Sequence, residues 1–295
     1  MEWLSSIRKA IDFMEEHLTE DISAQDVAEE VFMSPFFLQK GFSLMTGYGI
    51  SEYLRNRRLY QAALDLQKKE DKIIDIALRY GYETPESFSK AFARFHGKTP
   101  SQIREGAVPR RFLPLKINIS IQGGKLMDVK IKTMFPFKVI GFEKRFDNET
   151  AYEKIPQFWD EIMNEYAEVY AGKRPVSEYE KAISDYSIGE YGVCIDDTGD
   201  DSFRYLIAGR YNDGQVPEGM TVHEFPRGDW AVFECVGPVP ESLQSMNTAI
   251  FNEWLPGNPD YELCGNANIE WYDNGDMPAS DYHSAIWIPV RKLKD

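Results

Sequence analysis

Apolar residues recur at helical spacing through most of the first hundred positions. Residues 3–18 open with Ile7, Ala10, Ile11 and Met14 on one face, and Asp21-Ile22-Ser23 starts a second helix that runs to Val31. Phe32-Met33-Ser34 turns the chain. The helix that follows, residues 35–45, packs Leu38, Phe42 and Met45 and is expected to expose Phe36, Gln39 and Lys40, with Gly47 and Gly49 ending it. A longer helix over residues 51–69 supplies Tyr53, Leu54, Leu59, Ala62, Ala63 and Leu66. In residues 80–100, Gly81 makes a turn, Thr84 can cap the next helix, and Pro85 suits its first position, where no amide donor is needed. From there Phe88, Phe92 and Phe95 point inward, while Glu86, Ser87, Lys90 and Arg94 lie on the opposite side.

This pattern occurs twice. Asp26-Val27-Ala28 matches Asp75-Ile76-Ala77, and Ser34-Pro35 with Leu38, Lys40 and Phe42 matches Thr84-Pro85 with Phe88, Lys90 and Phe92. The first pair lies 49 residues apart and the others 50, so the second copy has one extra residue in its turn. A turn tolerates that insertion; a helix does not. Two helix-turn-helix units joined by a rigid helix can address successive major-groove segments about 34 Å apart from a single chain.

Beyond residue 104 the pattern changes. Residues 104–115 contain two prolines and a basic pair, which breaks the helix and places a boundary near residues 107–113. Residues 116–122 alternate as a strand. A second repeat follows: two strands within residues 127–143, a helix of about twenty residues from Ala151, and strands near residues 191–195 and 205–211. Residues 220–236 again give two strands, residues 240–254 a helix, and residues 268–272 and 284–290 the closing strands. Two such half-modules predict sheets meeting under two helices, with a cleft on the other sheet face. In the strand over residues 268–272, Glu270 and Tyr272 face one side, Ile269 and Trp271 the other.

The fold expected is therefore α+β and multidomain: an all-α tandem helix-turn-helix domain over residues 1–107, a linker with a short strand over 108–126, and an α+β domain of two strand-strand-helix-strand-strand repeats around a cleft over 127–295.

Charge sharpens the division. The 295 residues carry 33 Lys+Arg and 48 Asp+Glu, a net charge of −15; 16 of these bases and 17 of these acids lie through Arg111, leaving 17 and 31 beyond it. The acidity thus belongs to the second half. In the first, basic groups gather at Arg55, Arg57, Arg58, Lys90, Arg94, Lys98, Arg104, Arg110 and Arg111, a local face able to meet phosphate. Five of the six tryptophans, at 159, 230, 254, 271 and 287, fall in the second half. A carboxylate among aromatics favours a cationic or amphipathic ligand. Cys194, Cys235 and Cys264 are too few and too scattered for a disulfide framework or a zinc site, and are expected to be reduced packing residues. His17, His96, His223 and His283 are isolated in the sequence. No cofactor or metal is expected. No run reaches the roughly 18 apolar residues of a membrane span, and residues 1–10 lack a signal core, so a cytoplasmic location is expected.

Residues 5–106 resemble the DNA-binding domain of the AraC/XylS transcription regulators. The tandem units carry the likeness, with Asp75-Ile76-Ala77-x-x-x-Gly81-Tyr82 and Phe92-x-x-Phe95-x-Gly97-x-Thr99-Pro100. The resemblance implies base reading by Phe36, Gln39 and Lys40 in the first unit and Glu86, Ser87 and Lys90 in the second, with Arg94 beside them. Gln pairs with adenine, Lys donates to guanine, and Phe36 can rest on a thymine methyl. Glu86 fits a cytosine contact or a first-turn helix charge, and Lys40 and Lys90 fit base or phosphate contacts.

Residues 127–293 resemble the gyrase-inhibitor-like (GyrI-like) effector-binding domain. The stretches are Trp230-Ala-Val-Phe-Glu, Phe251-x-x-Glu253-Trp254-Leu255-Pro256, Tyr261-Glu262 and Ile269-Glu270-Trp271-Tyr272; Gly265-Asn266-Ala267 stands where the family has a proline. The resemblance implies that Glu270 is the ligand carboxylate. Tyr272, Trp230, Tyr191 and Trp287 are the further effector candidates. A ligand-responsive DNA-binding regulator is the expectation, with double-stranded DNA, a small-molecule effector and RNA polymerase as partners, and no enzymatic turnover. A hydrolase using Glu270 as base or nucleophile, or an acidic protein-docking module with Asp196, Asp197, Asp200 and Asp201 in one loop, are the other readings of the second half.

Overall fold

In the computed structural model, residues 2–117, 127, 129–148, 150–196 and 202–293 are described. Most of the strand expected over residues 116–122, and Asp197, Asp200 and Asp201, lie outside them. The chain forms two compact units, one of residues Leu4–Ile121 and one of Gln122–Asp295 with Met1–Trp3.

The first unit is helical: α1 (Glu2–Glu16), α2 (Ala24–Glu30), α3 (Pro35–Thr46), α4 (Ile50–Lys68), α5 (Ile73–Arg79), α6 (Pro85–His96) and α7 (Pro100–Arg104). The two copies share their punctuation. Ser34 and Thr84 are the N-caps of α3 and α6, each followed by proline, and Gly47 and Gly97 end both helices in the left-handed conformation. The turns match as well. Met33 N–H donates to Ala28 O and Tyr82 N–H to Ala77 O, and the left-handed residue is Phe32 (φ 55°) in one copy and Gly81 (φ 82°) in the other. Glu83 is the extra residue of the second turn. The second copy owns a core of Leu59, Ala62, Ala63 and Leu66 from α4, Ile76 and Ala77 from α5, Phe88 and Phe92 from α6, and Ile103 from α7.

Over residues 107–117 the chain has no regular structure yet stays fastened to this unit. Phe112 packs edge-on against Tyr48 and Phe95 and beside Tyr53, and its carbonyl accepts from Arg57 Nη1 at 2.5 Å. Arg110 N–H donates to His96 Nδ1.

The second unit orders β1 (Lys130–Met134), β2 (Phe137–Asp147), α8 (Ala151–Glu165), α9 (Ala167–Tyr170), α10 (Glu178–Tyr186), β3 (Tyr191–Ile195) and β4 (Ser202–Tyr211). Then come β5 (Met220–Phe225), β6 (Gly228–Val236) and α11 (Glu241–Ala249), which continues through a wider π-turn at Ile250–Trp254 into α12 (Leu255–Gly257). The chain closes with β7 (Tyr261–Leu263), β8 (Ala267–Tyr272) and β9 (His283–Lys292). The repeat read from the sequence is present, with α9, α10 and β7 added to it. All strands join one nine-stranded antiparallel sheet of order β1-β6-β9-β8-β3-β4-β2-β5, with β7 on β9.

That order is palindromic by half. β3 meets β8 at the centre, and each half's first strand, β1 or β5, is carried by the other half's second strand, β6 or β2. A pseudo-twofold therefore passes between β3 and β8, where Gly192 pairs with Glu270 and Val193 with Ile269. Strand twist accumulates over so many strands, and here the sheet curls until its ends meet: Phe137 of β2 and Phe225 of β5 reach Trp230 of β6 with ring centroids 6.0 and 5.5 Å apart.

Candidate DNA interface and effector site

α6 presents the surface expected of it. Phe88, Phe92 and His96 are buried, while Glu86, Ser87, Lys90 and Arg94 are exposed. Thr84 Oγ1 accepts from Ser87 N–H at 3.1 Å, and Ser87 Oγ donates to Thr84 O at 2.8 Å, so the cap already occupies the serine hydroxyl. Lys90 and Arg94 make no ion pair among the described residues. At the helix end, His96 Nε2 bonds Leu59 O at 3.1 Å, and burial holds the imidazole below its usual range.

α3 differs from the expectation. Phe36 is 4% exposed and Gln39 9%, and Lys40 is half-buried with its ammonium 5.5 Å from the Phe36 ring. The reason is compositional. Phe36 and Phe37 stand where α6 has Glu86 and Ser87, and the two rings meet edge-on at 5.4 Å, drawing this turn out of water.

The basic face contracts too. Arg57, 1% exposed, pairs with Glu15 through two bonds of 2.7 and 2.6 Å, and Tyr53 donates to the same carboxylate at 2.7 Å. Arg58 donates to Leu18 O and Glu20 O, Arg104 to Asp71 O, and Lys98 to Val108 O. These cations bind protein. Arg55, Lys90, Arg94, Arg110 and Arg111 keep exposed positions.

In the second unit, register settles which residues share a surface. Gly192 pairs with Glu270 and Cys194 with Asn268, next to Tyr205 of β4. A Cβ on Gly192 would stand 2.2 Å from Tyr205 Oη and 3.3 Å from Glu270 Oε2, so only glycine lets the phenol lie across the strand to the carboxylate. Tyr272 donates to Glu270 Oε2 at 2.9 Å. From α8, Trp159 Nε1 donates to Tyr205 Oη at 2.9 Å, and its ring meets Tyr272 edge-on at 5.2 Å. Burial first, then the Glu270 charge, raises both phenols well above their ordinary pKa. Glu270 thus sits beside the pseudo-twofold, bracketed by two neutral phenols and an indole. Such a site can hold a cation: one carboxylate supplies the charge and aromatic faces surround it.

This surface lies on the helix-bearing side, since α8 packs on it and Phe233, aligned with Glu270 through Ile286, meets Trp254 of the π-turn at 5.0 Å. The cleft expected on the opposite face is therefore corrected. That face is closed by the curl of the sheet, which buries Tyr191, Val193, Leu206, Trp230 and Ile269, with Trp271 and Trp287 against them. Of the five effector candidates, Glu270 and Tyr272 come together; Tyr191, Trp230 and Trp287 lie on the other side. Tyr191 meets Trp287 there at 5.9 Å, and burial pushes its phenol up to about 12. Trp159 and Tyr205 are the aromatics missed, because strand parity is readable within a strand and register between strands is not.

Among the described residues no helix is long and apolar enough to cross a membrane, and no group of three His, Cys, Asp or Glu could hold a metal ion. Cys194 and Cys235 are buried thiols, and burial raises Cys235 to about 11.

A tandem helix-turn-helix unit joined to a duplicated α+β unit with a central carboxylate defines a transcription regulator with an effector-binding domain. Residues 130–290 match the family described as integron-associated effector binding protein, and residues 27–106 match a helix-turn-helix domain family; the chain belongs to both, the second of AraC type. It is similar to the HTH-type transcriptional regulator YbfP of Bacillus subtilis, 27% identical over 296 residues, 89% of this chain and 98% of that one. It is also similar to the regulatory protein SoxS of Salmonella typhimurium, 36% identical over 98 residues, 33% of this chain and 92% of that one. Among solved structures, SAV2435 bound to tetraphenylphosphonium aligns with a TM-score of 0.45 at 21% identity, over 56% of this chain and 94% of that one.

Proposed function

We propose that the chain is a ligand-responsive, sequence-specific DNA-binding regulator whose second unit takes a small hydrophobic cation at Glu270 and thereby changes promoter binding or contacts with RNA polymerase. The observation that carries this reading is the Glu270 carboxylate itself, placed at the centre of a duplicated sheet with Tyr272, Tyr205 and Trp159 around it. A cation there gains charge pairing and cation–π contacts. Binding, not turnover, is the role we assign. Oε2 is already held by Tyr272, and relatives of the chain bear the names of transcription regulators. On DNA, Lys90 and Arg94 anchor α6, with Glu86 and Ser87 at its start, while Lys40, the half-buried one of the three α3 candidates, supplies a further contact.

Tryptophan quenching with a lipophilic cation, followed by a mobility shift on the DNA upstream of its own gene with and without that cation, tests the reading. Trp159 should be quenched, Glu270→Gln should weaken binding at least about tenfold, and the cation should alter the shift. A sequence-indifferent shift, or quenching that ignores Glu270→Gln, overturns it.

A further inference from the structure

Beside Glu270 the same strand face carries a second polar group that no described residue bonds. Asn268 lies two residues away along β8, about 7 Å at strand rise, and strand parity puts it on the helix-bearing side with Glu270 and Tyr272. It is fully buried, at 0% exposure, yet neither Oδ1 nor Nδ2 has a hydrogen-bond partner among the described residues. On α11, which lies against β6 and β9 over this face, Asn247 is 5% exposed and its Oδ1 lacks a partner as well. Buried amides are almost always satisfied, because desolvation without a bond is costly. A strand interior offers Asn no propensity advantage either.

In register with them, β3 places Gly192 opposite Glu270 and Cys194 opposite Asn268. The Tyr205 phenol comes from β4 and the Trp159 indole from α8, while the carboxylate and the amide both come from β8. The two groups are spaced so that one elongated molecule can meet both, with its direction fixed.

Resting on the assignment of Glu270 as the cation's counter-charge, we propose that Asn268 is the second recognition point, and that the effector class is a hydrophobic cation bearing a neutral amide-like group. A carboxamide is the natural complement, since it offers one donor and one acceptor to a side chain that offers the same. A purely hydrocarbon cation leaves Asn268 unsatisfied. An amide-bearing one satisfies it, and the discrimination comes from that difference.

The test uses the full chain and two probes that differ by one group, benzyltriphenylphosphonium and its para-carbamoyl derivative, with affinities read by tryptophan quenching. The carbamoyl cation should bind about tenfold tighter. In Asn268→Leu, which has the same heavy-atom branching, that preference should vanish while the parent cation keeps its affinity, and the variant should melt at or above the wild-type temperature because an unsatisfied amide has been removed. Equal affinities for the two probes, or a preference that survives Asn268→Leu, overturns the proposal alone. So does a variant that melts well below wild type, which would make Asn268 a structural residue. Loss of both cations, or indifference of the parent cation to Glu270→Gln, overturns the Glu270 assignment and this proposal with it.

Discussion

The molecule contains two internal duplications, and they ended differently. In the first unit the copies are laid end to end: α4 joins them, and the second keeps a core of its own. In the second unit the copies are interlocked. Each half's leading strand pairs with the other half, so the nine strands form one sheet and neither half is complete alone. The consequence is functional. Side-by-side copies preserve two reading helices that can diverge, as α3 and α6 have done in their first turns. Interlocked copies create a position beside the pseudo-twofold where β8 and β3 meet, and Glu270 occupies it.

Three substitutions probe that contrast. The largest effect is expected from Phe88→Ala, which empties the centre of the second helix-turn-helix core and should destabilise that copy by about 3–5 kcal/mol. Nuclease footprinting should then show protection shrinking to the half-site of α3. Complete loss of the footprint would mean that the copies do not stand separately.

Gly141→Ala probes the opposite case. Its Cβ would lie 2.1 Å from Ile207 O on the neighbouring strand, a backbone atom that cannot swing aside, and about 1–3 kcal/mol of overpacking is expected. Although Gly141 belongs to the first half, hydrogen exchange should speed up in β8 and β9 as well as in β2 and β4. Protection lost only in β2 and β4 would break the picture of an interlocked sheet.

Phe32→Gly is the smallest and the only stabilising change. Phe32 is 97% exposed and holds φ 55°, where its counterpart Gly81 holds φ 82°. Giving the first turn the residue used by the second should raise stability by about 1 kcal/mol, read as an upward shift of the melting temperature. An unchanged or lower value would indicate that the exposed ring contributes contacts this comparison does not include.

Much of this was legible in the residues. The tandem helices, their caps, the turn with Glu83 inserted and the exposed face of α6 all follow from spacing within a few residues, where local sterics and capping decide the outcome. The same holds for the strand-strand-helix-strand-strand repeat and for Glu270 and Tyr272 sharing a side, since alternation along a strand is fixed by the pleat. Arg57 and Arg58 show the limit: a basic residue on a helix is the same letter whether it meets phosphate or, as here, Glu15 or a carbonyl forty residues upstream.

The sequence by itself therefore determined the elements, the two duplications and the pair of side chains at the centre of the proposed effector site, because each depends on contacts within one turn or one strand. Only the tertiary structure decided which surface that pair belongs to. The curl of the sheet buries Tyr191, Trp230 and Trp287 on the far side, and register across β3, β4 and β8 delivers Tyr205, Gly192 and Asn268 to Glu270. Curl and register are set by packing among strands up to about a hundred residues apart, as Lys130 and Val232 are, and no local pattern encodes them.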